Sequence, residues 1–147
     1  MKIYKNQLDT FIKNIIIPLT KHYSIITLSG DLGAGKTTLM GKIMKTLGIK
    51  QAVTSPTFGY VKTYTTPNNL TIHHFDLYRL SSIDEFFDAG FDEYIVQPNS
   101  ISFIEWPEII APLLSQKPHM LNTLQIIISH IIDEPNARFF TIKTPSI

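Results

Sequence analysis

The chain lacks cysteine altogether and has few charged residues. Without cysteine it can form neither disulfide bonds nor thiolate metal sites, which is compatible with a reducing compartment. Charged residues make up 17% of its 147 residues and the formal net charge is +1, so we expect no strongly basic face for sequence-independent nucleic-acid binding. Apolar runs such as residues 15–17 and 126–128 are far too short to span a membrane.

The N-terminal segment does not resemble a secretion signal. Lys, Asp and Asn interrupt its apolar residues, and no small-residue cleavage site follows. Apolar residues account for 44% of the chain, which is enough for a hydrophobic core, and the length fits one compact domain. We therefore expect a cytoplasmic protein with no membrane attachment and a single domain over residues 1–147.

The order of the apolar segments predicts an α/β fold. Helical spacing of apolar residues predicts helices over 7–20, 36–47, 83–88 and 109–114. Apolar or alternating segments predict strands over 24–29, 58–64, 70–78, 101–104, 124–132 and 138–142, of which the second and third form a hairpin. Helices between strands allow parallel pairing, so we predict a single P-loop NTPase domain with a mixed, mostly parallel sheet flanked by helices.

Residues 30–37, Gly-Asp-Leu-Gly-Ala-Gly-Lys-Thr, match the pattern G-x-x-x-x-G-K-[ST] between a predicted strand and a predicted helix. Glycines let the loop curl and point its N–H groups at phosphate oxygens, and the helix presents its positive end to the anion. Lys36 is expected to reach the β- and γ-phosphates, and the Thr37 hydroxyl to ligate magnesium. The candidate nucleotide contacts are Asp31, Leu32, Gly33, Ala34, Gly35, Lys36, Thr37 and Thr38.

Two acidic residues end predicted strands and are candidates for metal and water chemistry. Glu105 follows a uniformly apolar strand, so we prefer it as the acid that holds magnesium together with Thr37. Asp76 follows the other strand and is the candidate that positions the attacking water or completes the outer shell of the metal. The predicted catalytic residues are Lys36, Asp76 and Glu105.

Two further side chains lie close to these acids in sequence. His74 shares a strand face with Asp76, but no third zinc ligand is evident, so a hydrogen bond beside the site is favoured over a metal role. We expect Trp106 to be a structural aromatic residue that is able to contact the site.

Alternative functions remain open at this point. A small-molecule kinase usually needs several guanidinium clamps, and Arg79 and Arg138 are the only arginines in the chain. A non-catalytic, nucleotide-gated binding module is the third reading, although the acids argue for hydrolysis. The Asn-Lys-x-Asp signature of guanine recognition is absent, so ATP is favoured over GTP.

Four motifs in fixed order closely resemble the TsaE family, formerly called YjeE, of small bacterial ATPases in tRNA threonylcarbamoyladenosine synthesis. They are Gly-Asp-Leu-Gly-Ala-Gly-Lys-Thr-Thr at 30–38, Ser-Pro-Thr-Phe at 55–58, His-Phe-Asp-Leu-Tyr-Arg-Leu at 74–80 and Glu-Trp-Pro-Glu at 105–108. The resemblance implies a P-loop α/β fold and an ATPase that is weak alone. It also implies two partners, TsaB and TsaD, of which TsaD modifies the adenosine beside the anticodon.

The resemblance also implies roles for individual residues. Thr37 and Glu105 would ligate magnesium, Lys36 would bind phosphate, and Asp76 would be needed for hydrolysis. Transfer RNA would be reached indirectly, through the partner complex. The loop at 55–58 resembles the nucleotide-sensing switch of GTPases, so we hypothesise that Thr57 senses the γ-phosphate. Residues that contact adenine are not assigned, with 7–10 and the late strands as the candidate regions.

Overall fold

The computed structural model describes residues 1–56 and 59–146. Within them, one seven-stranded sheet has the order β1-β7-β6-β2-β5-β4-β3. Its strands are β1 (Lys2–Tyr4), β2 (Ile25–Ser29), β3 (Val61–Thr65), β4 (Thr71–Asp76), β5 (Ser100–Glu105), β6 (Thr123–His130) and β7 (Ala137–Lys143).

Most of the helices are short. The α-helices are α1 (Leu8–Phe11), α2 (Ile17–Leu19), α3 (Lys36–Thr46), α4 (Ile83–Asp88), α5 (Phe91–Tyr94) and α6 (Ala111–Leu114). A π-helical segment, Ile12–Ile16, joins α1 to α2. The described part of the chain also forms 3₁₀ turns at Lys5–Gln7, Pro107–Ile110 and His119–Asn122.

The four central strands of the sheet run parallel. β2 lies between β5 and β6, and β5 also pairs with β4, all in parallel. β3 and β7 run antiparallel to the strands beside them, and β1 is antiparallel to β7. The predicted mixed, mostly parallel sheet flanked by helices is thus confirmed. In this register Leu28 and Asp76 both lie opposite Glu105, so the ends of β2, β4 and β5 meet at one edge.

The apolar character of β2 and β5 explains their central position. All six residues of β5 and the first four of β2 are buried, as expected for strands that helices cover on both faces. One face packs against α1, the π-helical segment and α3, through residues such as Ile12 and Met40. The other face packs against α4 and α5, through Phe75 and Phe86.

Several elements differ from those predicted. The helix predicted over 7–20 contains a π-helical segment, and the one predicted over 109–114 is a 3₁₀ turn followed by a single α-turn. β1 and α5 were not predicted, because a three-residue strand and a four-residue helix carry too little periodicity. β1 exists because its backbone pairs with β7, far away in sequence. None of the helices formed by residues 1–56 and 59–146 has the length and apolar character that a bilayer span requires.

Candidate functional site

The phosphate-binding loop connects the end of β2 to the start of α3. Gly35 has φ 109°, in the left-handed region that a side chain rarely tolerates, and it directly precedes Lys36. At Gly30 the constraint is steric, because an added Cβ atom would lie 2.5 Å from the carbonyl oxygen of Ile128. The loop therefore rests directly on the backbone of β6, and the glycines are required by its path.

The ammonium group of Lys36 is held at the mouth of this loop. Its Nζ atom donates hydrogen bonds to the carbonyl oxygens of Gly30 and Asp31, the latter at 3.1 Å. The same atom lies 4.2 Å from the centroid of the Trp106 ring, a cation–π contact. Lys36 is thus buried without a carboxylate among its bonded partners in the described chain, which leaves its charge available to an anion.

Thr37 and Glu105 present oxygen atoms to the same space. Thr37 Oγ1 lies 3.4 Å from Glu105 Oε1 and 2.9 Å from Ser55 Oγ. A hydroxyl and a carboxylate suit Mg²⁺, which takes oxygen ligands and commonly completes its shell with water and substrate phosphate. The described residues contain no cluster of three His, Cys, Asp or Glu side chains able to hold a metal unaided. The residues present therefore fit a magnesium ion that arrives with a phosphate ligand.

His74 fixes the orientation of the Glu105 carboxylate. Both side chains are buried, and His74 Nε2 lies 2.6 Å from Glu105 Oε2. The other carboxylate oxygen, Oε1, is the one that faces Thr37. The predicted hydrogen bond of His74 beside the site is confirmed, and His74 Nδ1 has no partner within the described chain.

Asp76 ends β4 opposite Glu105 and is half-buried. Burial raises the pKa of this carboxyl above the ordinary 3.8, and the nearby charge of Glu105 adds to the increase. The N–H of Tyr78, which donates to Asp76 Oδ1 at 3.1 Å, opposes the increase in pKa, as do His74 and Lys36. Asp76 is thus a carboxylate of increased basicity at the edge of the site.

Most of the predicted site residues line one cleft of about 310 Å³. Its lining consists of Leu32, Gly33, Gly35, Lys36, Thr37, Thr38, Ser55, Asp76, Tyr78, Glu105 and Trp106. Of the predicted nucleotide contacts, Asp31 and Ala34 are absent from this lining. The backbone carbonyl oxygen of Asp31 accepts a hydrogen bond from Lys36, and Ala34 lines a neighbouring cavity.

Trp106 contacts the site more closely than the sequence suggested. Its φ of 56° places it in the left-handed region, so the chain turns sharply after β5. The indole ring lies 4.8 Å from the ring of Tyr78, measured between centroids, as well as over Lys36. Both aromatic rings therefore form a wall of the cleft.

Sequence reasoning missed a second cavity and its contacts. This cavity, of about 270 Å³, shares Gly33, Gly35 and Thr38 with the cleft. Its other walls are Ile3, Tyr4, Lys5, Leu8, Ala34, Leu39, Pro135, Asn136, Ala137, Arg138 and Phe140. Arg138 Nε donates to the Ala34 carbonyl at 3.1 Å. No local motif signals this contact, because the two residues are distant in sequence.

Ser55 and Tyr78, which line the first cleft, were likewise not predicted as parts of it. Thr57, the predicted γ-phosphate sensor, lies outside the described residues.

A parallel sheet whose central strand leads through a glycine loop into a helix, with acids at the neighbouring strand ends, defines a P-loop nucleotide-binding protein. Comparison with known proteins gives the family. The protein-family model described as "Threonylcarbamoyl adenosine biosynthesis protein TsaE" matches residues 4–136. The chain therefore belongs to the TsaE family.

Individual relatives agree with this assignment. A Rickettsia felis protein named "tRNA threonylcarbamoyladenosine biosynthesis protein TsaE" is 40% identical over 117 residues, which cover 78% of this chain and 67% of the relative. A Rickettsia conorii protein of the same name is 44% identical over 96 residues, or 65% of this chain and 53% of the relative. The chain thus spans between half and two thirds of the length of these two relatives.

A solved structure shares the fold. The crystal structure of Bacillus subtilis YdiB superposes with a TM-score of 0.68 at 28% identity, covering 99% of this chain and 86% of the other.

Proposed function

We propose that this protein is a cytoplasmic, magnesium-dependent ATPase required for threonylcarbamoyladenosine modification next to the anticodon of tRNA. It acts with TsaB and TsaD, and hydrolysis drives the cycle of that complex. Residues 1–147 form one ATPase domain. The observation that carries the proposal is that Lys36, Thr37, Asp76 and Glu105 line one cleft at the ends of parallel strands. The names of the Rickettsia relatives support the pathway.

Phosphate binding in this proposal replaces weak contacts by strong ones. Lys36 now bonds two carbonyl oxygens of its own loop, and phosphate oxygens are better partners for an ammonium group. The first N–H groups of α3 have no acceptor within the helix, so they are free to bind an anion. The cleft therefore offers charge and N–H donors to the β- and γ-phosphates.

Magnesium in this site would be held by Thr37 and Glu105 and would neutralise charge that develops on the phosphates. Glu105 is held for this role by His74, which leaves Oε1 directed at Thr37. Asp76 orients the attacking water through its carboxylate. Its raised pKa makes it a better proton acceptor than an ordinary aspartate, as long as it stays ionised.

The second cavity is the proposed seat of the nucleoside. It joins the cleft at Gly33, Gly35 and Thr38, so one molecule with a phosphate chain can occupy both. Leu8 and the segment 135–138 contribute to its walls, which combines the two regions considered for adenine.

The cleft opens at a surface suited to partner contact. Leu32 is 68% exposed and Tyr78 54% exposed, and both lie at its edge. A partner that covers these apolar side chains would also cover the phosphates, so its affinity would depend on the nucleotide state. The small net charge of +1 fits a protein that reaches tRNA through TsaB and TsaD.

The test is ATP hydrolysis measured with and without purified TsaB and TsaD. Lys36→Ala is the blank. Lys42→Ala is the matched control, because Lys42 lies on the same helix but pairs with Asp9, away from the cleft. We expect a weak rate that rises with the partners, vanishes in Lys36→Ala and persists in Lys42→Ala. A rate indifferent to TsaB and TsaD would contradict the pathway, and an active Lys36→Ala would contradict the site.

One observation favours a small-molecule kinase as the second candidate. A cavity of about 130 Å³ adjoins the cleft at Ser55, Asp76 and Tyr78, and Arg79 lines it. An acceptor seated there would lie beside the candidate base. Product analysis separates the two functions, because a kinase releases phosphate bound to an acceptor whereas an ATPase releases it into water. A binding module without catalysis would release neither.

A further inference from the structure

We propose that Arg138 is a positioning residue that sets the phosphate-binding loop in the orientation needed to bind a phosphate chain. Arg138 lies on β7, outside the segment 4–136 that the family model matches. Its Nε atom nevertheless donates a hydrogen bond to the Ala34 carbonyl, in the middle of the loop. The inference rests on the proposed binding of nucleotide at this loop.

Because a peptide unit is planar, the hydrogen bond from Arg138 to the Ala34 carbonyl sets the orientation of one peptide unit in the loop. The Ala34–Gly35 peptide is trans, so its C=O and N–H groups point in opposite directions. The guanidinium group holds the carbonyl on the β7 side, which directs the Gly35 N–H away from β7. Gly35 at φ 109° has no side chain to resist other orientations of this peptide, so an external restraint is effective here.

Arg138 is itself firmly held. Its Nη1 atom donates to the carbonyl oxygens of Pro135, at 3.0 Å, and of Ala137, at 2.8 Å. The backbone of Arg138 pairs with Ile3 on one side and His130 on the other. One guanidinium group thus donates to three backbone carbonyl oxygens and connects an internal strand to the loop.

The same guanidinium group connects the two halves of the proposed ligand site. Arg138 lines the second cavity, and no described residue accepts a bond from Nη2. A direct contact of Nη2 with the nucleoside is thus the main competing role for Arg138. The two roles make different demands, because the loop matters to any phosphate chain and the nucleoside contact matters only to nucleosides.

The experiment compares ATP with inorganic tripolyphosphate, which has the phosphate chain and no nucleoside. Binding to the full chain is followed by the fluorescence of Trp106, the only tryptophan, whose ring lies 4.2 Å from Lys36 Nζ. The variants are Arg138→Met, which removes every donor, and Arg138→Lys, which keeps the charge and one donor group. Lys143→Met, on the same strand but exposed, is the control. Thermal unfolding without ligand gives the stability of each variant.

We expect Arg138→Met to weaken ATP and tripolyphosphate by the same factor, about tenfold or more, on the scale of one hydrogen bond made by a charged donor. Arg138→Lys should lose less, and Lys143→Met nothing. Unchanged affinities in a folded Arg138→Met would overturn the proposal. A loss confined to ATP would overturn it in favour of a nucleoside contact. If Arg138→Met does not fold, Arg138→Lys decides, since equal losses for both ligands are expected there too. Failure of the wild type to bind either ligand would instead contradict the proposed function.

Discussion

The contact between the phosphate-binding loop and β6 makes a quantitative prediction for two glycine substitutions. A Cβ atom on Gly30 would lie 2.5 Å from the Ile128 carbonyl oxygen and 3.1 Å from the Ala34 Cβ atom. The first neighbour is strand backbone, because Ile128 pairs with Phe140 of β7, so it cannot retreat without disturbing that ladder. Overpacking of this kind costs about 1–3 kcal/mol, and we place Gly30→Ala at the upper end of that range.

Gly41→Ala is the matched control with the opposite expected sign. Gly41 lies inside α3, and an added Cβ atom meets no atom of the described residues within 4 Å. Alanine there should stabilise the protein by about 0.5–1 kcal/mol, because it loses less conformational entropy in a helix than glycine. For a chain of this size, about 1 kcal/mol corresponds to a change of roughly 2–4 °C in melting temperature.

Calorimetry without nucleotide is the assay for this pair. The melting temperature should fall by about 5 °C or more in Gly30→Ala and rise by about 2 °C in Gly41→Ala. Binding of ATP should weaken in Gly30→Ala, since the Gly30 carbonyl also accepts a bond from Lys36. Equal melting temperatures for Gly30→Ala and the wild type, with equal nucleotide affinity, would refute the close approach of loop and strand.

Three other predictions concern single side chains. Glu105→Gln keeps an acceptor for His74 but loses the negative charge, so magnesium-dependent hydrolysis should fall at least about tenfold, with little change in magnesium-free nucleotide binding. Unchanged turnover would show that another acid holds the metal. Asp76→Asn should bind nucleotide normally but hydrolyse it at least about 100-fold more slowly in single-turnover kinetics. A normal hydrolysis rate would exclude Asp76 as the group that orients water. Burial lowers the pKa of His73 below the ordinary 6.5, so the unfolded chain takes up a proton first as the pH falls, and stability is lost from about pH 6.5 downward. The melting temperature should therefore drop more between about pH 7.5 and pH 5.5 in the wild type than in His73→Gln, and parallel profiles would contradict this assignment.

The central architecture could be predicted because its signals are local and strong. The strand before Gly30, the helix after it and the apolar strand before Glu105 each carry a clear pattern, and the parallel sheet follows from their order. Lys36, Thr37, Asp76 and Glu105 were chosen from the same patterns, and they line one cleft. Their roles in catalysis remain predictions.

The rest depends on contacts between distant residues. Nothing near Arg138 indicates that it reaches Ala34, and nothing near Tyr4 indicates a cavity wall, because both facts follow from how β1 and β7 pair. The position of the Trp106 ring over Lys36 likewise depends on a positive φ that the sequence Glu-Trp-Pro does not specify. Periodicity describes which face of an element is buried but gives no information on its distant neighbours.

The contact of Gly30 with Ile128 has a consequence for the order of events during synthesis. The phosphate-binding motif is complete after eight consecutive residues, but the surface that supports it belongs to β6. Arg138, which donates a hydrogen bond to the loop, follows later still, 104 residues beyond Ala34. A nascent chain that has exposed only its first half therefore carries the motif without its support. The ability to hold a phosphate chain should arise abruptly, when the C-terminal hairpin of β6 and β7 has left the ribosome and docked beside β2.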